Sequence, residues 1–173
     1  IRGTLHRYSA LAFVERILHM ADLMIGTALH NVRQTGLEHQ QAVREKIAML
    51  VCYREGIDAH LTAAIANAEK SPAGLLMPNQ SFLYTGRVHA CSQLHKMVHI
   101  ARELCGGQIC VTPDHADFNN TDTQPWLQKF YSINEKWSSE DRRRLLAFGR
   151  DLLNSSYAGH KLTFQLFAQS PPF

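Results

Sequence analysis

Glu103-Leu104-Cys105-Gly106-Gly107-Gln108-Ile109-Cys110-Val111-Thr112-Pro113-Asp114 is the stretch that decides how this chain folds. It closes a long helical pattern on two consecutive glycines, then turns into β-branched residues punctuated by proline, which predicts a β-rich loop. Glycine ends a helix because it takes up the left-handed conformation with no Cβ in the way. The missing Cβ also lets another backbone, or a flat polar ligand, come within contact distance. The residues alone leave both uses open: a helix cap, or a place where a nucleotide is approached.

Upstream of the glycines, Leu83, Ala90, Leu94, Met97, Ala101 and Leu104 recur at helical spacing and predict a helix from about Gln80 to Leu104, opened by Pro78-Asn79. Gly86 and Ala90, four apart, permit close approach of a neighbouring helix. An earlier stripe of Val43, Ile47, Leu50, Ile57, Leu61, Ala64 and Ala68 predicts a helix from about Glu38 to Glu69, broken by Ser71-Pro72-Ala73-Gly74. The first helix is predicted from about Ser9 to Gln34, on Leu11, Val14, Leu18, Ala21, Ile25, Ala28, Leu29 and Val32, with Thr35-Gly36 as its stop.

Downstream, Gly106 to Thr123 reads as a long polar loop, and loops of that length are more often functional than decorative. Pro125 opens a short helix ending near Tyr131. Ser138 or Ser139 then caps a last helix whose first turn carries Glu140 and Asp141, and Asn154 to Gly159 interrupts it. Four long helices without strand alternation predict an all-α, antiparallel four-helix bundle. Apolar residues spill off single stripes, so a second helix face is expected to pack against another copy or a missing domain.

At 173 residues, 45% hydrophobic and 19% charged, the chain has the composition of a folded domain rather than a disordered one. Residues 1–173 are expected to form a single helical domain, and the start at Ile1 suggests part of a longer protein. A net charge of +3, with one short run at Arg142-Arg143-Arg144, gives little support to nucleic-acid binding. No run approaches the length of a membrane span and no signal peptide is evident, so a cytoplasmic protein without membrane or nucleic-acid partners is expected. Cys52, Cys91, Cys105 and Cys110 lack metal-site spacing and are expected to be reduced core residues.

His95, His99 and Glu103 share one helical face, but no matching pair elsewhere completes a metal site, and none is expected. There is no Gly-x-Ser-x-Gly elbow, no GxGxxG and no phosphate loop. Arg87 and Arg102 could pair with phosphates or with acidic neighbours, and surface ion pairs are the expected role. Asn154-Ser155-Ser156-Tyr157-Ala158-Gly159-His160 offers small hydroxyls and a glycine within a helix, which suits either a close helix crossing or the edge of a phosphate or flavin ring.

Taken in order, several segments resemble the 4-hydroxyphenylacetate 3-hydroxylase family of flavin-dependent monooxygenases, specifically its C-terminal helical domain. They are Pro78-Asn79-Gln80-Ser81, Glu103-Leu104-Cys105-Gly106-Gly107, Pro113-Asp114, Asp117-Phe118, Leu127-Gln128-Lys129-Phe130-Tyr131, Ser139 to Leu145, and Asp151 to His160. The resemblance spans nearly the whole chain. It implies a bundle like the C-terminal domain of acyl-CoA dehydrogenases, belonging to the oxygenase component of a two-component enzyme.

By that resemblance Gly106 and Gly107 lie near the FAD nucleotide, and Ser155, Ser156, Tyr157 and Ala158 line another part of the flavin site. It further implies FAD used as FADH2, a flavin reductase that supplies it, a phenolic substrate, and a homodimer or homotetramer. Catalytic residues would lie in parts of the family absent here, so none is named. Relatives commonly carry arginine where this chain has His160. Two other readings stand beside it: an FAD enzyme like 4-hydroxybutyryl-CoA dehydratase, or a helical oligomerisation module with no cofactor.

Overall fold

The computed structural model describes the backbone of residues 2–167, with side chains from residue 4 onward. The first helix, α1, spans Arg2–Gln34, a full seven residues earlier than the apolar stripe predicted. It ends at Thr35-Gly36 as expected. Gly36 sits at φ 70°, its N–H reaches Arg33 O at 3.3 Å and the Leu37 N–H reaches Val32 O at 2.8 Å, so the last carbonyls of α1 are satisfied.

The second helix, α2, spans Gln41–Ala66 and is shorter at both ends than the predicted range. Its lost C-terminal residues are used differently: Glu69–Lys70 (β1) pairs antiparallel with Leu76–Met77 (β2) around the Ser71–Gly74 turn. Helix α3 follows over Gln80–Cys105, and the Asn79 side chain accepts from Phe82 N as its cap.

The region read as one long loop, Gly106 to Thr123, contains two short helical turns, and the expected short helix follows it. A 3₁₀ turn covers Gly107–Ile109, α4 covers His115–Asn119, and α5 covers Gln124–Tyr131 with proline in its first turn. The β-rich character expected after the glycines is absent, because Val111 and Thr112 fall between these turns without a partner strand among the described residues. Helix α6, Ser139–Leu153, starts at Ser138 with a reciprocal capping box to Asp141. The chain breaks for two residues and resumes as α7, Ser156–Phe167.

Helices α1 and α3 run the same way, since His6 meets Tyr84 near their starts and Asn31 meets Leu104 near their ends. Helix α2 runs against them, with Lys46 on Glu103 and Gly56 under His89. The α6–α7 pair also runs against α1: Arg142 faces Asn31, Gly149 faces Thr27, and Phe164 faces Arg16. The architecture is all-α, with the fourth helical position filled by two shorter helices.

Helix α1 is the central one. It buries Val14, Leu18, Ala21, Ala28 and Val32 as the stripe predicted, and also Phe13, Ile17, Met20 and Met24. The extra residues follow from position, because α2, α3 and α6 all pack against it. Each such large apolar side chain contributes roughly 1.5–3 kcal/mol on burial.

Glycine and histidine interlock where α2 crosses α3. A Cβ on Gly86 would lie 2.7 Å from His60 Cβ, and one on Gly56 would lie 2.6 Å from His89 Nε2. The two imidazoles stack at 5.5 Å between centroids. The small residue at position 86 thus serves close approach, as its spacing suggested.

Candidate functional site: the Gly106–Gly107 turn and the α6–α7 break

Gly106 closes α3 with its N–H directed to Arg102 O at 2.9 Å and Glu103 O at 3.2 Å. Its backbone lies at φ 72° and ψ 177°. That is a positive-φ conformation, but not the left-handed helical one expected: it is an extended mirror region occupied essentially by glycine alone. Gly106 is therefore required by the chain itself.

Gly107 is different. Its φ is not positive, it is exposed, and a Cβ built on it would meet nothing within 4 Å. Nothing in the described fold demands glycine there. Of the two glycines, only Gly106 is required by its own backbone conformation.

The α6–α7 break is tied to this turn. Arg102, in the last turn of α3, donates from Nε to Leu153 O at 3.0 Å and also from Nη2, capping the end of α6. Asn154 Nδ2 donates to Cys110 Sγ at 3.1 Å. Gly149 lets α6 lie on the 3₁₀ turn, where its Cβ would come 3.2 Å from Ile109 Cγ2. Arg102 is thus a structural cap rather than a surface ion-pair residue.

The four residues expected at the break have distinct surroundings. Ser155 uses its hydroxyl within the chain, accepting from Ala158 N at 3.0 Å and donating to Asp151 O at 3.2 Å. Ser156 is exposed in the first turn of α7. Tyr157 is 62% exposed, with Lys161 Nζ 5.9 Å from its ring centre, whereas Ala158 is buried. Tyr157 and Ala158 line a cavity of about 390 Å³ between α1, α6 and α7, together with Met20, Leu23 and Phe148. Arg16, His19, Asp151, Lys161 and the buried Gln165 supply its polar lining; Gly106 and Gly107 do not line it.

Three arginines are missed or misread in the sequence: Arg102 and Arg142 at this end of the molecule, and Arg87 in the first part of α3, against Phe13 of α1. Arg87 is 1% exposed, with its guanidinium 5.4 Å from the Phe13 ring centre, so the surface reading fails for it as well. Arg142 is 3% exposed and donates to Asn31 Oδ1 at 2.6 Å, Gln34 Oε1 at 3.2 Å and Gln108 Oε1. Burial disfavours its charged form. The signal that finds both is helical spacing: Arg87 follows Leu83 by four on α3, and Arg142 heads the buried series Leu146, Gly149 and Leu153 on α6.

The cysteines divide. Cys105 is buried, and burial pushes its thiol up to about 11, whereas Cys52 and Cys110 are exposed, against the expectation that all four lie in the core. Glu103 is held by Lys46 at 2.8 Å, which keeps its carboxyl below the usual range, with His99 3.8 Å away. Among the described residues, no group of three or more His, Cys, Asp or Glu is placed to hold a metal, and no helix is long and apolar enough to cross a membrane.

The arrangement is an all-α bundle domain with a glycine turn and a broken helix at one end. The family model described as 4-hydroxyphenylacetate 3-hydroxylase C terminal matches residues 1–173, and the chain belongs to that family. It is 30% identical over 109 residues to the oxygenase component of 4-nitrophenol 4-monooxygenase/4-nitrocatechol 2-monooxygenase from Rhodococcus opacus, covering 63% of this chain and 21% of that one. It is 22% identical over 153 residues to the FADH(2)-dependent monooxygenase TftD from Burkholderia cepacia, covering 88% and 30%.

Among solved structures, the oxygenase component of 4-hydroxyphenylacetate 3-monooxygenase complexed with FAD has a TM-score of 0.89 at 22% identity, covering 96% of this chain and 35% of that one. An archaeal 4-hydroxybutyryl-CoA dehydratase from N. maritimus gives 0.87 at 20%, covering 96% and 33%. These two likenesses establish the fold. The chain spans less than a third of the curated relatives named here.

Proposed function

We propose that this chain is the C-terminal, flavin-shielding and oligomerising domain of the oxygenase component of a two-component phenol monooxygenase. The observation that carries the reading is the family match across all 173 residues, joined to relatives described as FADH2-dependent monooxygenases and oxygenase components. A separate flavin reductase supplies FADH2 to the parent protein in the cytoplasm, and the substrate is a phenol. Reduced FAD supplies two electrons, so that one atom of dioxygen enters the phenol and the other leaves as water.

The residues fit such a group. Gly107 is small with no internal cause, and its surroundings leave room for a flat polar molecule to rest on the backbone. Gly106 holds the turn in a shape open to glycine alone. Tyr157 and Ala158 present an apolar wall, and Ser156 an exposed hydroxyl, at the break where α7 begins. Ser155 orders that break, and its role towards the cofactor is to hold the first turn of α7 in place. The domain's work is to exclude water and orient its ligands, not to donate or accept the reacting protons.

Leu23, Phe148, Tyr157 and Phe164 are all substantially exposed along α1, α6 and α7. An apolar surface of this kind suits burial against the rest of the parent chain or a second subunit, in a homodimer or homotetramer. The test is an anaerobic titration of the intact parent protein with FADH2, followed by air and a panel of phenols, with sedimentation to give the assembly size. Saturable binding and a hydroxylated phenol are expected. No flavin binding in either redox state overturns the proposal and leaves a helical scaffold.

A further inference from the structure

Arg142 makes no ion pair among the described residues, and its hydrogen-bond acceptors are three side-chain amide oxygens. A buried cation satisfied only by neutral groups is costly, and an apolar residue of similar size would serve stability as well or better. Its placement accounts for how the charge is tolerated. Asn31 and Gln34 lie in the last turn of α1, and Asn31 Nδ2 itself donates to Leu104 O in the last turn of α3 at 2.7 Å. The guanidinium therefore sits at the C-terminal ends of two parallel helices, where the aligned peptide dipoles leave partial negative charge.

The two arms of the guanidinium go to different places. Nη1 binds α1 through Asn31 and Gln34, while Nη2 binds Gln108, the residue that follows Gly107. Gln108 is exposed overall, so its side-chain carbonyl turns inward to reach this donor. A planar fork of fixed geometry sets the distance and orientation between its two sets of acceptors, which a lysine ammonium does not.

We propose that Arg142 is a positioning residue for the Gly106–Gln108 turn, fixing it against the end of α1 through the side chain of Gln108. This deepens the cofactor reading and rests on it: the turn is held so that the face of Gly107 stays open towards the nucleotide. Arg142 itself, buried beneath the turn, does not touch the cofactor.

The test uses the full-length parent protein and the variants Gln108→Ala, Arg142→Lys, the double variant and Gly107→Val, with FAD and FADH2 as probes. Gln108→Ala takes one acceptor from the buried guanidinium, so a lower melting temperature is expected, and flavin binding is measured well below the melting point of every variant. The substitution weakens flavin binding about tenfold, the scale of one hydrogen bond to a charged donor. Arg142→Lys gives a similar loss, and the double variant is no worse than either single one, because both act through one link. Hydrogen exchange followed by mass spectrometry shows faster exchange in peptides covering Gly107 to Cys110, with α2 unchanged. Undiminished flavin affinity in Gln108→Ala and Arg142→Lys, alongside weakened binding in Gly107→Val, overturns the proposal. Unchanged affinity in Gly107→Val overturns the cofactor reading instead, and local exchange then decides the tether by itself: unaltered exchange in Gln108→Ala refutes it.

Discussion

Replacing Gly107 with valine separates a cap from a cofactor contact, and the two glycines provide an internal control. At position 107 the side chain enters open space and the backbone is not in the positive-φ region. The folding cost is therefore that of an ordinary surface change, within about 0.5 kcal/mol. At position 106, φ 72° with ψ 177° admits glycine almost exclusively, so Gly106→Ala costs about 1–3 kcal/mol. A ligand resting on the Gly107 backbone at van der Waals distance would be pushed away by the valine methyls, and we expect at least about a tenfold rise in Kd, ~1.4 kcal/mol. The assay pairs urea unfolding with anaerobic flavin titration of the parent protein. Gly107→Val should keep its stability and lose affinity, whereas Gly106→Ala should lose stability. A Gly107→Val protein that binds flavin as wild type does refutes the reasoning, since glycine at 107 then has no reader.

The remaining predictions concern the frame around that turn. Arg102→Ala strips the C-terminal cap from α6 and should destabilise the fold by about 1–2 kcal/mol in chemical denaturation, more than alanine at exposed Arg144. Gly86→Ala should cost about 1–3 kcal/mol because its Cβ collides with His60 Cβ, which is fixed to the backbone. Gly56→Ala should cost less, since it meets the His89 ring edge, which can swing aside. Glu140 is held down to about 2 by Arg143 first and Arg144 second. A depressed carboxyl contributes stability above its unfolded value near 4.5 that is lost as pH falls towards 2; at 36% exposure the screened contribution is ~0.5–1 kcal/mol, and Glu140→Gln should flatten stability over that window. His89 is lowered by burial first, then by His60 and Lys96, so the unfolded chain takes up its proton first. Stability should therefore decline as pH drops through 6.5, and His89→Gln should reduce that decline.

Much of the fold was legible in the sequence because it depends on repeating local chemistry. The apolar stripes located three long helices, Thr35-Gly36 and Asn79 marked their ends, and Ser138 with Asp141 announced α6. What the pattern missed depends on neighbours. Phe13, Ile17 and Met24 lie off the predicted stripe and are buried because α1 is enclosed on several sides. Val111 and Thr112 carry strand propensity, but a strand needs a partner and the chain offers none there. At the candidate site, two glycines in a row gave the position but not the division of labour. That division follows from one backbone angle at Gly106 and an empty space at Gly107. Arg142 was hidden by its charged neighbours Arg143 and Arg144, although its spacing from Leu146 and Leu153 placed it on the buried side.

The most direct test of the central claim is a crystal structure of the intact parent protein with FAD bound. The account predicts Gly107 within contact distance of the cofactor, about 4 Å, with Tyr157 and Ala158 close to another part of the same flavin site. A cofactor seated away from both stretches, with Gly107 still facing solvent, would contradict it.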